Sequence, residues 1–241
     1  MILKSMTRKT PTWGQLLEYM VKDSDRYKDL DGLSFILKHN VSGHNIREWT
    51  RSFEETEERR VNQRVNNVKV FHEILSWSNK DVKHMSLEKM KEMARQYITI
   101  RNENASYIAV PHRDKKHWHV HFCISAVEAK TGKAIRVSRE EFKAIKEKIQ
   151  QFQIEKYPEL SNSVVNHSKK AKQPVIEPEY QQTKRTGQLS EKEKMKQQLE
   201  TIFRSSTSKA DFYTKVHEQG LSTYERGGKV CGIEEIGRAH V

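Results

Sequence analysis

Two hydrophobic periods alternate along this chain, and the places where one gives way to the other mark its elements. Residues 1–6 can form a first strand. Thr12-Trp13-Gly14-Gln15-Leu16-Leu17-Glu18-Tyr19-Met20 reads as a helix capped near Thr12, and residues 33–37 read as a second strand. A charged helix over residues 46–61 precedes a strand over residues 68–75. Ser86 caps a helix in which Leu87, Met90, Ala94, Tyr97 and Ile98 share one face. Residues 107–110 read as a strand that stops at Pro111, and the segment from His117 forms its antiparallel hairpin partner. After a turn at Lys130-Thr131-Gly132-Lys133, Ser138 and Glu141 have the spacing of a capping box, and Phe142, Ile145, Ile149 and Phe152 give the following helix its apolar face. The order strand, helix, strand, helix, strand, helix, hairpin, helix is that of an α+β or mixed α/β fold with a central, largely antiparallel sheet.

Beyond Pro158 the pattern weakens. His167 to Pro174 reads as a solvated linker, residues 189–203 as a charged, glutamine-rich helix and residues 210–220 as another helix. A hairpin follows over residues 221–233, turning at Gly227-Gly228. The expected organisation is a first domain at 1–165, a charged linker and helix at 166–200, a small helix-hairpin module at 201–235 and a non-native tail at 236–241. The tail, Ile236-Gly237-Arg238-Ala239-His240-Val241, matches the in-frame translation of a common sequencing adapter, so the natural coding sequence is expected to continue past Glu235.

The hairpin strand is where the pattern becomes chemistry. His117, His119, His121, Cys123 and Ser125 fall on one face, and Trp118, Val120, Phe122 and Ile124 on the other. Any single histidine of this kind is ordinarily an exposed strand residue. Several on one face are different, because histidines two apart can hold one ion and His112 can join them from the end of the preceding strand. Three neutral imidazoles suit a borderline divalent ion such as Mn, Co, Ni or Zn, whereas Mg and Ca prefer oxygen. Three protein ligands leave coordination positions open, as a catalytic site requires. Asp114 can accept the second ring proton of a ligand histidine and fix its tautomer.

Composition narrows the partner. The 241 residues carry a net charge of +12, with a pI near 9.5, which favours a polyanion: nucleic acid first, an anionic membrane surface second. Lys115 and Lys116, beside the proposed metal site, can neutralise phosphates. A mean hydropathy of −0.88 reflects the charged helices. No apolar run is long enough to span a bilayer, and the two cysteines, Cys123 and Cys231, do not make a disulfide framework, so a reducing, cytoplasmic setting is expected.

The pattern H-x-D-x4-H-x-H, followed by Phe122-Cys123-Ile124-Ser125, resembles the metal motif of conjugative relaxases, the mobilisation nucleases of the HUH endonuclease superfamily. The opening Met1-Ile2-Leu3-Lys4-Ser5 with Trp13 to Tyr19, and Phe71-His72-Glu73-Ile74-Leu75-Ser76-Trp77-Ser78, are similar to the family's other two motifs and stand in its order, so the likeness covers roughly residues 1–165. It implies a five-stranded, mainly antiparallel sheet flanked by helices, the histidine hairpin central, with a helical and hairpin C-terminal extension. It implies Tyr19 as nucleophile, with Tyr27 as runner-up, and Asp114 as the acidic catalytic residue. His117-Trp118-His119 makes a second H-U-H triplet; spacing from His112 in the family's motif selects His112, His119 and His121 as ligands. His72 and Ser76 match the motif that contacts DNA near the cleaved site.

The activity so implied is that of a bacterial plasmid or mobile-element relaxase: metal-assisted nicking of single-stranded DNA at an origin of transfer through a 5′-phosphotyrosine. The cofactor would be a divalent metal ion: Mn, Mg or another. Accessory mobilisation proteins and a type IV secretion coupling protein would be partners. Two alternatives remain open at this point: a rolling-circle replication initiator, which shares the chemistry, and a non-catalytic basic DNA-binding protein.

Overall fold

The computed structural model describes residues 1–25, 35–113, 118–167 and 177–235. Tyr27, the start of the expected second strand at residues 33–34, residues 114–117, most of the expected linker and the tail 236–241 lie outside them. The chain divides into two compact units, Met1–Lys170 and Ala171–Val241.

The first unit runs β1 (Ile2–Arg8), α1 (Trp13–Asp25), β2 (Leu37–His39), α2 (Ile46–Glu58), β3 (Val70–Ser76), α3 (Leu87–Asn102), β4 (Ala105–Arg113), β5 (Trp118–Glu128) and α4 (Arg139–Lys156), the order that the hydrophobic pattern predicts. Its strands form one antiparallel five-stranded sheet in the order β1-β3-β5-β4-β2. The histidine strand β5 is therefore the middle strand, held by ladders on both sides.

The alternation along β5 sorts its side chains between two cores. Val120, Phe122 and Ile124 pack with Met90, Met93, Ala94 and Tyr97 of α3 and with Ile145 and Ile149 of α4. On the opposite face Cys123, Val70, Ile108 and Val110 meet Trp13, Leu16, Leu17 and Met20 of α1 and Trp49 and Phe53 of α2. The outer strand on that face stays open to solvent, with Ile2 51% and Met6 42% exposed. The helices that cover the sheet are capped as read: Ser86 Oγ accepts from the Lys89 amide, and Ser138 and Glu141 complete a reciprocal capping box.

Behind β3 lies a buried polar knot. Glu73 has no exposed surface; Arg101 forms an ion pair with it at 3.2 Å, Ser5 Oγ donates to it at 2.8 Å, and the Tyr97 hydroxyl also donates to it. Burial and the neighbouring carboxylate push the Tyr97 phenol well above its usual range, so it stays a donor. The knot ties β1, β3 and α3 together.

Three boundaries differ from the sequence reading. Strand β4 does not stop at Pro111 but continues to Arg113, with Pro111 paired to Val120 and His112 to His119. Strand β2 reaches only as far as Ala109 along β4, so among the described residues Pro111 sits where one flank of β4 has no ladder to interrupt. Among the described residues the second strand is Leu37–His39, so Phe35 and Ile36, expected within it, precede it, with Phe35 packed in the core. Helix α2 ends at Glu58, where the Arg60 amide bonds back to the Glu57 carbonyl.

The second unit holds α5 (Glu177–Thr186), α6 (Glu191–Ser205), α7 (Lys209–Glu218) and an antiparallel hairpin of β6 (Leu221–Arg226) and β7 (Lys229–Glu235). Its small core is Ile202, Val216 and Leu221 with Met195, Leu199, Phe212 and Ile233. Gly227 and Gly228 both take positive φ, 59° and 72°, as a two-residue hairpin turn demands. Helix α5 escapes a hydrophobic pattern search because it has little apolar surface to show. Among the described residues no helix is long and apolar enough to cross a membrane.

The knot yields a stability prediction. Arg101→Ala leaves Glu73 buried without its cation, and such losses cost about 3–5 kcal/mol. All four tryptophans (Trp13, Trp49, Trp77 and Trp118) lie in the first unit, so urea unfolding followed by tryptophan fluorescence reads this loss directly. An unchanged midpoint and slope would rule out a structural role for the pair.

Candidate metal centre

The ladders of β5 assemble the site. On one side His119 pairs with His112 and His121 with Val110; on the other, His119 pairs with Ser76, His121 with Ile74 and Cys123 with His72. Paired residues of antiparallel strands point to the same face. His72, Ser76, His112, His119 and His121 therefore share the face that α1 crosses.

Three of them converge. One ring nitrogen from each of His112, His119 and His121 lies within 4.8 Å of the others. The Nε2 atoms of His119 and His121 are 3.0 Å apart. Nitrogens that share an ion at about 2.0–2.1 Å each stand roughly 3–3.4 Å apart, so His119 and His121 already have the spacing of a shared cation, with the His112 nitrogen within 4.8 Å of both. His112 and His121 are 3% and 2% exposed, and His119 is half-buried. Burial, then the neighbouring rings of His112, His119 and His72, hold His121 far below the usual imidazole range. It is therefore a neutral lone-pair donor at physiological pH, as a metal ligand must be.

The tautomers are legible as well. The Nε2 of His112 lies 2.7 Å from the Met20 carbonyl, which can only accept, so that nitrogen carries the proton and Nδ1 the lone pair. The Nδ1 of His121 lies 2.8 Å from Nε2 of His72. His72 is 5% exposed, and burial followed by the Arg8 charge lowers its pKa to about 4.

Tyr19 stands over this cluster. Leu16, Leu17 and Met20 turn into the core and anchor α1, while Tyr19, on the helix's flank, remains 48% exposed. Its ring centroid is 5.5 Å from that of His121, 6.2 Å from His112 and 6.3 Å from His72, all edge-on. The helix that buries its apolar side thus delivers a phenol to the rim of the histidine cluster.

Not every residue singled out from the sequence is brought here. Ser76 lies on the same face beside His119 and lines a cleft of about 370 Å³ with Ile2, Lys4, Trp77 and Asn162. Trp118 projects to the opposite face, against the core, with Arg113 over its ring. Asp114, Lys115, Lys116 and His117 lie outside the described residues, as does Tyr27. The sequence reading missed two cations. Lys4 pairs with Ile74 and Arg8 with Val70, which places both on the histidine face along the uncovered strand β1. The alternation Ile2-Lys4-Met6-Arg8 was visible, but only the register says which face it occupies.

Comparison with known proteins agrees with this arrangement. The chain resembles the MobM relaxase domain bound to plasmid pMV158 oriT DNA in a Mn-bound crystal structure, with a TM-score of 0.56 at 16% identity over 76% of this chain and 97% of that one. A second Mn-bound MobM structure, with 23 nucleotides of oriT DNA, gives 0.53 at 19% identity over 76% and 97%. At such identities the likeness establishes the fold. No curated protein sequence matches the chain. The family described as relaxase, MobA/VirD2-like, nuclease domain, matches residues 19–157, a span that takes in Tyr19 and every histidine of the cluster. Because that match covers more than half of its 241 residues, the chain belongs to the MobA/VirD2-like relaxases, a family of DNA-nicking enzymes.

Proposed function

We propose that this chain cuts one strand of DNA at an origin of transfer by direct attack of Tyr19 on a phosphodiester, with a divalent ion held by His112, His119 and His121. The observation that carries this reading is the single point of convergence: three imidazole rings with a nitrogen each turned to one another, and one half-exposed phenol set over them by α1. The ion, when bound, supplies Lewis-acid polarisation of a non-bridging phosphate oxygen. Tyr19 Oη forms a bond to phosphorus, the bond from phosphorus to the 3′ oxygen breaks, and the phenolic proton ends on the released 3′-hydroxyl. The product is a 5′-phosphotyrosine ester. An ester of this kind conserves the bond energy, so the free 3′-hydroxyl can later reverse the step and reseal the strand.

The surroundings suit a polyanion. Lys4 and Arg8 lie on the open half of the histidine face, in a chain whose net charge is +12. Ser76, paired with His119, offers a hydroxyl that can donate to a phosphate, and Lys115, Lys116 and Asp114 belong to the same proposal as the cationic and acidic groups that follow His112 in sequence. A single-stranded substrate fits a half-covered sheet face. Accessory mobilisation proteins and a secretion coupling protein are the partners such an activity would use.

Three measurements test the reading. Incubated with Mn²⁺ and a single-stranded origin oligonucleotide, the wild-type chain should yield a covalent adduct on a denaturing gel, and Tyr19→Phe should yield none; an adduct that survives the substitution would remove Tyr19 from the role. His121→Ala should lower Mn²⁺ affinity in calorimetry by at least about 100-fold, the upper end of what loss of an orienting partner alone costs. Lys4→Ala should weaken oligonucleotide binding and reduce its salt dependence by a slope of roughly 0.7, the contribution of one phosphate contact on a single strand, with the extent of cleavage at saturating DNA unchanged. An unaltered salt slope would exclude Lys4 from the DNA path.

A further inference from the structure

His72 stands in the motif that the family resemblance assigns to DNA, and its ring lies buried against one of the clustered histidines. It is 5% exposed, in the middle of β3, with Met6 of β1 on one flank and Cys123 of β5 on the other. From there its ring reaches diagonally across the ladder to His121, whose own rung partner on β3 is Ile74. The two rings are stacked at 27° with centroids 5.1 Å apart, and Nε2 of His72 meets Nδ1 of His121 at 2.8 Å. The other nitrogen of His121, Nε2, is the one that faces His119.

We infer that His72 is the positioning residue for His121: it accepts the Nδ1 proton of that ring and thereby fixes the tautomer in which Nε2 presents its lone pair to the metal. The proton count admits one neutral arrangement. If Nε2 of His121 binds an ion it carries no proton, so Nδ1 must, and Nδ1 can only donate. Its partner, Nε2 of His72, is then the acceptor, and the proton of His72 resides on its own Nδ1. The Met20 carbonyl acts on His112 in the same way from the other side of the pocket. The two deeply buried ligands thus have separate orienting groups, a backbone carbonyl from α1 and an imidazole from β3.

The choice of an imidazole has a chemical consequence. A carboxylate in this place would donate more electron density through the ligand ring and add a negative charge beside the phosphate. A neutral imidazole orients the ligand without that charge, so more of the ion's charge remains for the phosphate. The edge-on approach of Tyr19 to the same ring, at 6.3 Å, means that nucleophile and ligand share this packing partner.

This inference rests on the metal reading of the site, and the test separates the two. Mn²⁺ binding to the full chain is measured by calorimetry for wild type, His72→Leu and His72→Gln, with circular dichroism to check folding. Glutamine offers an amide oxygen near the position of Nε2; leucine offers none. His72→Leu should bind Mn²⁺ about 10–100-fold more weakly, and His72→Gln should recover most of that loss. A folded His72→Leu that binds Mn²⁺ like wild type overturns the inference while leaving the metal site standing, and a glutamine variant no better than leucine overturns it too. If wild type binds no Mn²⁺, both readings fall. Oligonucleotide binding in EDTA should be the same for wild type and His72→Leu; a loss there with Mn²⁺ affinity intact would return His72 to a DNA contact. Should the leucine variant not fold, long-range ¹H–¹⁵N spectra of the wild-type chain loaded with Zn²⁺ decide the matter: His121 protonated on Nδ1 is expected, and His121 protonated on Nε2 overturns the proposal.

Discussion

The register of β5 between β3 and β4 is the constraint on which the site depends. A strand's side chains alternate with a period of two, so a slip of one residue sends every side chain to the other face. On β5 such a slip would drive His119 and His121 into the core against α3 and α4 and turn Val120, Phe122 and Ile124 out of it, towards α1 and α2. All three of those residues are essentially fully buried against α3 and α4, so the slipped pairing would forfeit that packing and strand polar rings in an apolar core. The packing of one face therefore specifies the geometry of the other.

Two elements then convert a row of histidines into a pocket. Helix α1 docks through Leu16, Leu17 and Met20, and the same docking sets the Tyr19 ring at the rim and the Met20 carbonyl against His112. Strand β3 is fixed from behind by the Glu73, Arg101, Tyr97 and Ser5 knot, and one residue away from Glu73 it presents His72 to His121 on the opposite face. Stability and chemistry alternate residue by residue along β3. The covered half of the sheet face excludes water from the imidazoles, and the half that is open, along β1, carries Lys4 and Arg8 where a phosphate chain can approach.

Much of this was legible in the sequence. The element order followed from hydrophobic period, and the faces of β5 from alternation alone. The three clustered histidines stood out because same-face spacing on one strand and proximity across a hairpin are local properties. What depended on long-range pairing was not readable. That Lys4 and Arg8 share the histidine face is decided by the β1–β3 register, and that His72 meets His121 by a diagonal across the β3–β5 ladder. Pro111 was misleading as a strand terminator because its cost depends on whether a neighbour needs its missing N–H, and β2 ends before reaching it. Tyr19, which spacing alone could not separate from its apolar neighbours Leu16, Leu17 and Met20, became distinct only when the helix docked and left it exposed.

The most direct measurement is a crystal of the chain soaked in Zn²⁺, with the metal located by its anomalous scattering. The account predicts one dominant site at about 2.0–2.1 Å from a ring nitrogen of each of His112, His119 and His121, beside the Tyr19 hydroxyl. A metal bound elsewhere, or these three rings turned to separate partners with no shared ion at saturating concentration, would contradict it.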